Sequence, residues 1–362
     1  YYMSGMYETS PCGKIYHEYR VPGGSHHDAF EMPDGNLLCL TEDLTSPTVE
    51  DMCVLLDRET GEIIKTWDYK SFLKPGLGKS GSWSERDWFH NNAVWYDENT
   101  HSLTFSGRHM DSIVNIDFET GKLNWILGDP EGWPKEWVDQ YFFKPIGNNF
   151  GWQYEQHACL ITPNGDVMCF DNHHWGSKVK ENYLMAKNNY SRAVRYRINT
   201  KDMTIEQVWE YGKDRGAEFF SPYICNVEFY NEGHYMVHSG GIAYNKDGDI
   251  SESLGAFEQF MDGTLKATTL EICDNKIMLE LHTKGNYYRA EKMTLYSENG
   301  NLDLGDGSLL GHMGVTAEFD TEVPASLSES LIPDKFEARV EDEEDRFTFH
   351  AKFEKGQLVM LL

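Results

Sequence analysis

Short apolar runs bounded by polar turns fill most of the chain, and the runs themselves recur on a longer period. HHDAFEMPDG, HNNAVWYDENTH and HACLITPNGD each open a hydrophobic strand with a histidine, placing His27, His90 and His157 at one position of a repeating unit. His27 lies eight residues before Gly35 of a PDG turn, and His157 lies eight before Gly165 of a PNG turn. Cys225 lies eight before Gly233 of an NEG turn. Seven residues past these glycines come Glu42, Asn172 and Gly240, and seven past His101 of the second unit comes Arg108. Farther on, VLLDRETGEIIKTWDY, VNIDFETGKLNWILG and VRYRINTKDMTIEQVWEYG each give two strands around a polar turn, ending near Trp67, Trp125 or Trp209. Each unit therefore reads as a four-stranded meander.

Units starting at 27, 90, 157 and 225 are 63, 67 and 68 residues apart. Compact propeller repeats run ~40 to 50 residues, so long loops must separate the blades. The inserts 70–88, 130–155 and 212–222, rich in Gly, Pro and aromatic residues, are placed to crowd one end of the blades. The expectation is an all-β propeller with four readable blades and few helices, the best helical candidate being PKEWVDQYF at 134–142, with Pro134 suited to a first turn. A propeller grows by adding blades, which suits 362 residues. Residues 1–296 are expected to form the propeller, and 297–362, with FEARVE and RFTFHAKF, a terminal β segment.

A net charge of −27 argues against a phosphate-binding surface and hence against nucleic acid, yet leaves room for a locally positive pocket. No apolar run reaches the ~18 residues of a membrane span. Seven dispersed cysteines without a CxxC pair read as mostly buried free thiols, which, with no charged and apolar leader in this chain, leans towards a cytoplasmic setting.

Equivalent positions of propeller blades converge on the axis, so the three histidines should share a central cavity with Arg108. One such histidine alone would more often be a strut between blades; three in register with an arginine point to chemistry. HHDAF, DWFHNN, SGRHMDS, WILG, EQHACLITPNG, FDN and WEYG, over roughly residues 20–245, resemble the bacterial arylsulfate sulfotransferases, and 250–296, ending in GNYYRAEKMTLY, resembles that family's last strands. The resemblance implies a six-bladed propeller that moves a sulfuryl group from a phenolic sulfate ester to a phenolic acceptor, with no nucleotide donor and no other cofactor. It implies a ping-pong course in which His157 becomes transiently sulfated, supported by His27, His90, Asn92 and Arg108. A homodimer also belongs to it, although the family's N-terminal β-rich region has no counterpart before His27. The cysteine pair that exported members carry before the nucleophile is absent from 133–156.

The chemistry also stands on the residues. Sulfuryl transfer has a loose transition state at a sulfur bearing three oxygens, akin to phosphoryl transfer with one charge fewer. A neutral imidazole is the nucleophile, a guanidinium fork and an amide donor hold the oxygens, and a protonated histidine, His27 or His90, serves the leaving phenolate. Crowding of His and Arg is expected to depress the imidazole pKa values. For stacking on the aryl ring the candidates are Phe89, Trp175 and Tyr190, with Trp88, and for lining the substrate pocket Ser221 and His173, with Tyr223 and His174. Two other readings stay open: a metal-dependent hydrolase using the three histidines, with Asp28 or Glu42 as carboxylate, and a non-enzymatic propeller acting as an interaction platform.

Overall fold

Polar turns with a recurrent local logic join the strands. In DRETG and DFETG, Asp57 and Asp117 accept the backbone N–H of Thr60 and Thr120 at 2.8 and 2.7 Å, and Gly61 and Gly121 follow at φ 72° and 66°. That chemistry closes a tight hairpin in the same place in two successive units. The computed structural model describes residues 3–10, 15–252, 263–293, 338–343 and 346–351. Cys12 and part of the Glu341 to Asp345 run lie outside them.

The chain divides into two units, Tyr1–Leu295 and Tyr296–Leu362. The first opens with a hairpin of β1 (Met3–Thr9) and β2 (Ile15–Ser25). Four antiparallel meanders follow. They are β3 (Ala29–Glu31) to β6 (Ile63–Asp68), with β4 (Leu37–Thr41) and β5 (Met52–Leu56) between, and β7 (Asn91–Asp97) to β10 (Leu123–Gly128), with β8 (Ser102–Gly107) and β9 (Ser112–Asp117). The third runs from β12 (His157–Ile161) through β13 (Val167–Asp171) and β14 (Arg192–Asn199) to β15 (Thr204–Tyr211), and the fourth comprises β16 (Asn226–Asn231), β17 (His234–Tyr244), β18 (Thr264–Cys273) and β19 (Lys276–Lys284). These are propeller blades, and the fold is all-β. Four are seen among the described residues, against the six that the resemblance implies. The second unit shows one hairpin, β20 (Ala338–Glu343) with β21 (Arg346–Ala351).

The core lies between successive blades because strand side chains alternate and both faces of each middle sheet are covered. Val94, Phe105 and Val114 of the second blade pack towards Leu38, Leu40 and Leu55 of the first, while Ala93, Ile113 and Leu127 pack towards Cys169, Val194 and Tyr196 of the third. Met168 and Phe170 then meet Val227, Val237 and Leu270 of the fourth. Each such fully buried side chain contributes about 1.5–3 kcal/mol, so both sets of alternating positions stabilise the stack. The insert 130–155 holds α1 (Lys135–Tyr141), as the sequence suggests, and also β11 (Lys144–Ile146), which adds a fifth, parallel strand to β15. β11 is exposed and the helix has no fully buried residue, but Trp133 and Phe142, just before and just after the helix, enter the core between the first two blades. Among the described residues no helix is long and apolar enough to cross a membrane. The described cysteines are free thiols, buried except for Cys273, which is partly exposed.

Candidate active site

Each blade enters its innermost strand through a strained residue. His27 and His90 take φ 55° and 52°, Ala158 takes 54°, and Cys225 takes 89°. A left-handed, non-glycine residue costs of order 1–3 kcal/mol, and three at the repeated position with a fourth, Ala158, one residue past it mark where the fold accepts strain to aim side chains. The result brings the three histidines together. The rings of His27 and His90 lie 5.0 Å apart between centroids, and the Tyr288 ring stands between His27, at 5.8 Å, and His157, at 6.3 Å.

The segment after the last blade strand supplies that tyrosine. Its backbone runs along the inner edge of the fourth blade, Tyr287 N–H donating to the Gly240 carbonyl and Cys225 N–H to the Tyr288 carbonyl. Arg289 then reaches across to Asp28 at 2.6 Å and to the Asn92 carbonyl at 3.1 Å. One residue thereby joins the end of the fourth blade to the inner strands of the first two. Asp28 is committed to this pair and to the Val94 N–H at 2.9 Å, which removes it as a metal ligand.

Hydrogen-bond partners fix the tautomers. Asn172 donates its amide to the carbonyls of Ser221 and Ile224 at 2.8 and 3.0 Å, so its Oδ1 faces His157 Nδ1 at 2.7 Å. His157 therefore carries its proton on Nδ1 and its lone pair on Nε2. Burial, followed by the charge of Arg108, holds it well below the ordinary histidine pKa. His26 points Nε2 at the Thr41 carbonyl, 3.1 Å away, and so receives at Nδ1 the Nδ1–H of His27, at 2.9 Å. His27 is likewise held well below its ordinary value, by burial and then by His90, and bears its lone pair on Nε2.

His90 behaves in the opposite way. Its Nδ1 lies 2.6 Å from Asp87 Oδ2 and 3.0 Å from Glu50 Oε2. Burial opposes its charge, yet Glu50 and Asp87 prevail and lift it to about 9, while Glu50 falls to about 2. Crowding thus depresses two of the histidines but not the third, because carboxylates that the repeat spacing does not reveal stand beside His90. His109, stacked over His90 at 4.5 Å and donating Nδ1–H to the Asp87 carbonyl at 2.6 Å, is lowered to about 4 by burial, His90 and Arg108.

Arg108 presents a narrower face than a free fork. Nη2 bonds Glu155 at 2.7 Å and the Pro222 carbonyl at 3.3 Å, and Nη1 meets His109 Nε2 at 3.3 Å. Only its buried Nε lacks a partner among the described residues. Asn92 also differs from the expected donor. Its Nδ2 holds the Gln156 carbonyl at 2.8 Å, bracing the peptide just before His157, and its unpartnered atom is the acceptor Oδ1.

The aromatic candidates separate clearly. Phe89 belongs to the core, fully buried against Tyr69 and beside Gly107, where a β-carbon would collide with it, so it lines no cavity. Trp88 is buried too, its indole N–H on Asp51. Ser221 is a structural knot, its Oγ donating to the Tyr223 carbonyl and accepting the Gly241 N–H. His173 is boxed by Asn189 and stacks on Tyr190 at 4.1 Å. Trp175 stays half-buried in a ladder with His174 and Tyr183. Sequence reasoning missed Glu50, Asp87, His109, Glu155 and Tyr288, and left Asn172 without a role although its place in the repeat matches that of Arg108.

Among the described residues two groups could hold a metal on geometry alone, His26 with His27 and Glu50, and Asp87 with His90 and His109. Glu42, expected as the carboxylate, is in neither. His26 Nε2 and His109 Nδ1 are already committed to backbone carbonyls, and the carboxylates enclose the His90 nitrogen as they would an imidazolium.

Residues 2–296 match the family model described as Arylsulfotransferase (ASST). The chain belongs to the arylsulfotransferase family. It is similar to the arylsulfate sulfotransferase AssT of Escherichia coli O6:H1 (strain CFT073), 25% identical over 296 residues, covering 65% of this chain and 48% of that protein. The arylsulfate sulfotransferase AssT of Lelliottia amnigena is 26% identical over 284 residues, covering 62% and 46%. The chain spans about half the length of these relatives. Among solved structures, a Bacteroides caccae protein of unknown function covers 78% of this chain and 76% of its own, at 13% identity and TM-score 0.43. A streptogramin B lyase covers 80% and 63%, at 14% and 0.35.

Proposed function

We propose that this arylsulfotransferase moves a sulfuryl group from a phenolic sulfate ester to a phenolic acceptor in two half-reactions, through sulfohistidine at His157. The observation that carries the reading is His157 with its lone pair on Nε2 and its pKa held well below the ordinary value, gathered around Tyr288 with His27, whose ring meets that of the raised His90, while the buried Nε of Arg108 is left without a partner among the described residues.

In the first half-reaction, His157 Nε2 attacks sulfur. The N–S bond forms as the S–O bond to the phenol breaks, and the departing electron pair takes the Nε2 proton of His90. A free phenol titrates near ~10, so an imidazolium at about 9 gives up its proton with little thermodynamic mismatch. In the second, the acceptor phenol returns a proton to the now neutral His90 while its oxygen attacks sulfur, and the N–S pair reverts to Nε2. This assigns the acid and base role to His90 rather than to His27, whose Nε2 lone pair accepts a hydrogen bond from the phenolic hydroxyl. Arg108 Nε supports a sulfuryl oxygen, and the Tyr288 ring is a wall for the aryl group between the two neutral histidines.

The test is a transfer assay with a nitrophenyl sulfate and phenol. The reading requires acceptor-dependent nitrophenol release with parallel lines in double-reciprocal plots. Converging lines would remove the covalent intermediate, and no release would remove the activity.

A further inference from the structure

We infer that Glu155 is the positioning residue of the anion site: it half-neutralises Arg108 and turns the guanidinium so that the unpartnered Nε–H faces the sulfuryl oxygens. The inference rests on the function proposed above and adds a residue to its machinery. Glu155 stands two residues before His157 on the same entry into β12, itself strained at φ 49°, so one short segment carries both the nucleophile and the counter-ion of the arginine.

The carboxylate is fully buried and fully engaged. Oε2 receives Arg108 Nη2 at 2.7 Å and His174 Nδ1 at 2.8 Å, and Oε1 receives the Ser80 hydroxyl at 3.2 Å and the Ser82 N–H at 3.1 Å. Its backbone N–H is tied to Asp111 at 2.7 Å. Burial alone would raise this acid; Arg108 and His174 outweigh that and hold it well below the usual carboxylate range. The insert 70–88 thereby reaches the site through Ser80 and Ser82, although neither touches a catalytic group.

The chemistry explains why a counter-ion belongs here. A sulfate monoester is anionic before reaction as well as during it, so an unpaired buried guanidinium would hold the ground state and the sulfate-like products at least as tightly as the transition state. Pairing Arg108 with Glu155 lowers that indiscriminate attraction and keeps the direction of the Nε donor. The residue should therefore weaken anion binding while speeding transfer, a combination that a purely structural role would not produce.

The experiment is calorimetric titration with inorganic sulfate beside transfer kinetics, on the full chain, for Glu155→Gln and Ser80→Ala. Glu155→Gln is expected to bind sulfate about tenfold more tightly, because a buried counter-charge is gone, and to lose roughly ten- to a hundredfold in kcat. Ser80→Ala, which leaves the ion pair and strengthens the grip of Glu155 on Arg108, should bind sulfate about two- to threefold more weakly. Weaker or equal sulfate binding by Glu155→Gln overturns the inference. Should that variant fail to fold, Ser80→Ala decides, and equal or tighter sulfate binding overturns it. Sulfate titration reads the anion site whether or not the wild-type protein transfers sulfuryl groups, so failure of the activity and failure of this role are told apart.

Discussion

Asn172 Oδ1 lies 2.7 Å from His157 Nδ1 and cannot turn away, because its amide nitrogen is spent on the carbonyls of Ser221 and Ile224. The side chain acts as a tautomer lock. Asn172→Leu removes the lock and leaves two buried carbonyls without their donor, so kcat should fall on the order of ten- to a hundredfold, with about 1–3 kcal/mol lost in urea unfolding. Asn172→Asp places a carboxylate against Nδ1, raises the His157 pKa, and should cut the rate at neutral pH more than at alkaline pH.

The pH profile follows from opposite shifts. His157 is lowered and stays neutral far into acid, so the acidic limb of kcat/KM should lie below the ~6.5 of a free imidazole. His90, raised to about 9, must be protonated to serve the leaving group, so activity should decline as pH rises through about 9. Asp87→Asn removes one of its two carboxylates and should move that alkaline limb downward. The same variant should lose stability: a raised histidine contributes fully below its unfolded value near ~6.5 and loses that contribution as pH rises through the folded one. A pH-rate series on both proteins checks the sign.

Arg289 bonds Asp28 and the Asn92 carbonyl, joining the segment that carries Tyr288 to the first two blades. Arg289→Met leaves Asp28 as an uncompensated, largely buried charge. The expected cost is about 3 kcal/mol in chemical denaturation, with KM for the donor rising as Tyr288 loses its anchor.

The clusters around Glu50 and Asp87 could ligate a divalent cation, and the account assigns a proton to that place instead. Exhaustive chelation should leave transfer unchanged, whereas added zinc should inhibit by displacing the His90 proton. Loss of activity on chelation, restored by one metal, would favour the hydrolase reading.

Much of this was legible in the chain. Histidine positions and glycine turns at fixed offsets mark the inner strands, since a hairpin needs its turn residues at set distances whatever else varies. The same offsets mark Arg108 and Asn172 as equivalent, both at the inner end of a second strand. The carboxylates were not legible: Glu50 and Asp87 lie in connections between strands, where no period applies, and their effect on His90 arises only when two loops meet. Phe89 misled for a related reason. It adjoins His90 in sequence, but alternation sends its ring to the core side. Tyr288 sits after the last readable strand, so only the return of that segment to the axis reveals it.

The most direct measurement is mass spectrometry of the protein quenched after brief exposure to an aryl sulfate without acceptor. The account predicts one added SO3 group on the peptide containing His157, lost on addition of a phenol and absent from His157→Asn, whose transfer rate should fall on the order of ten-thousandfold or more. An unmodified His157 in a protein that still transfers sulfuryl groups would contradict it.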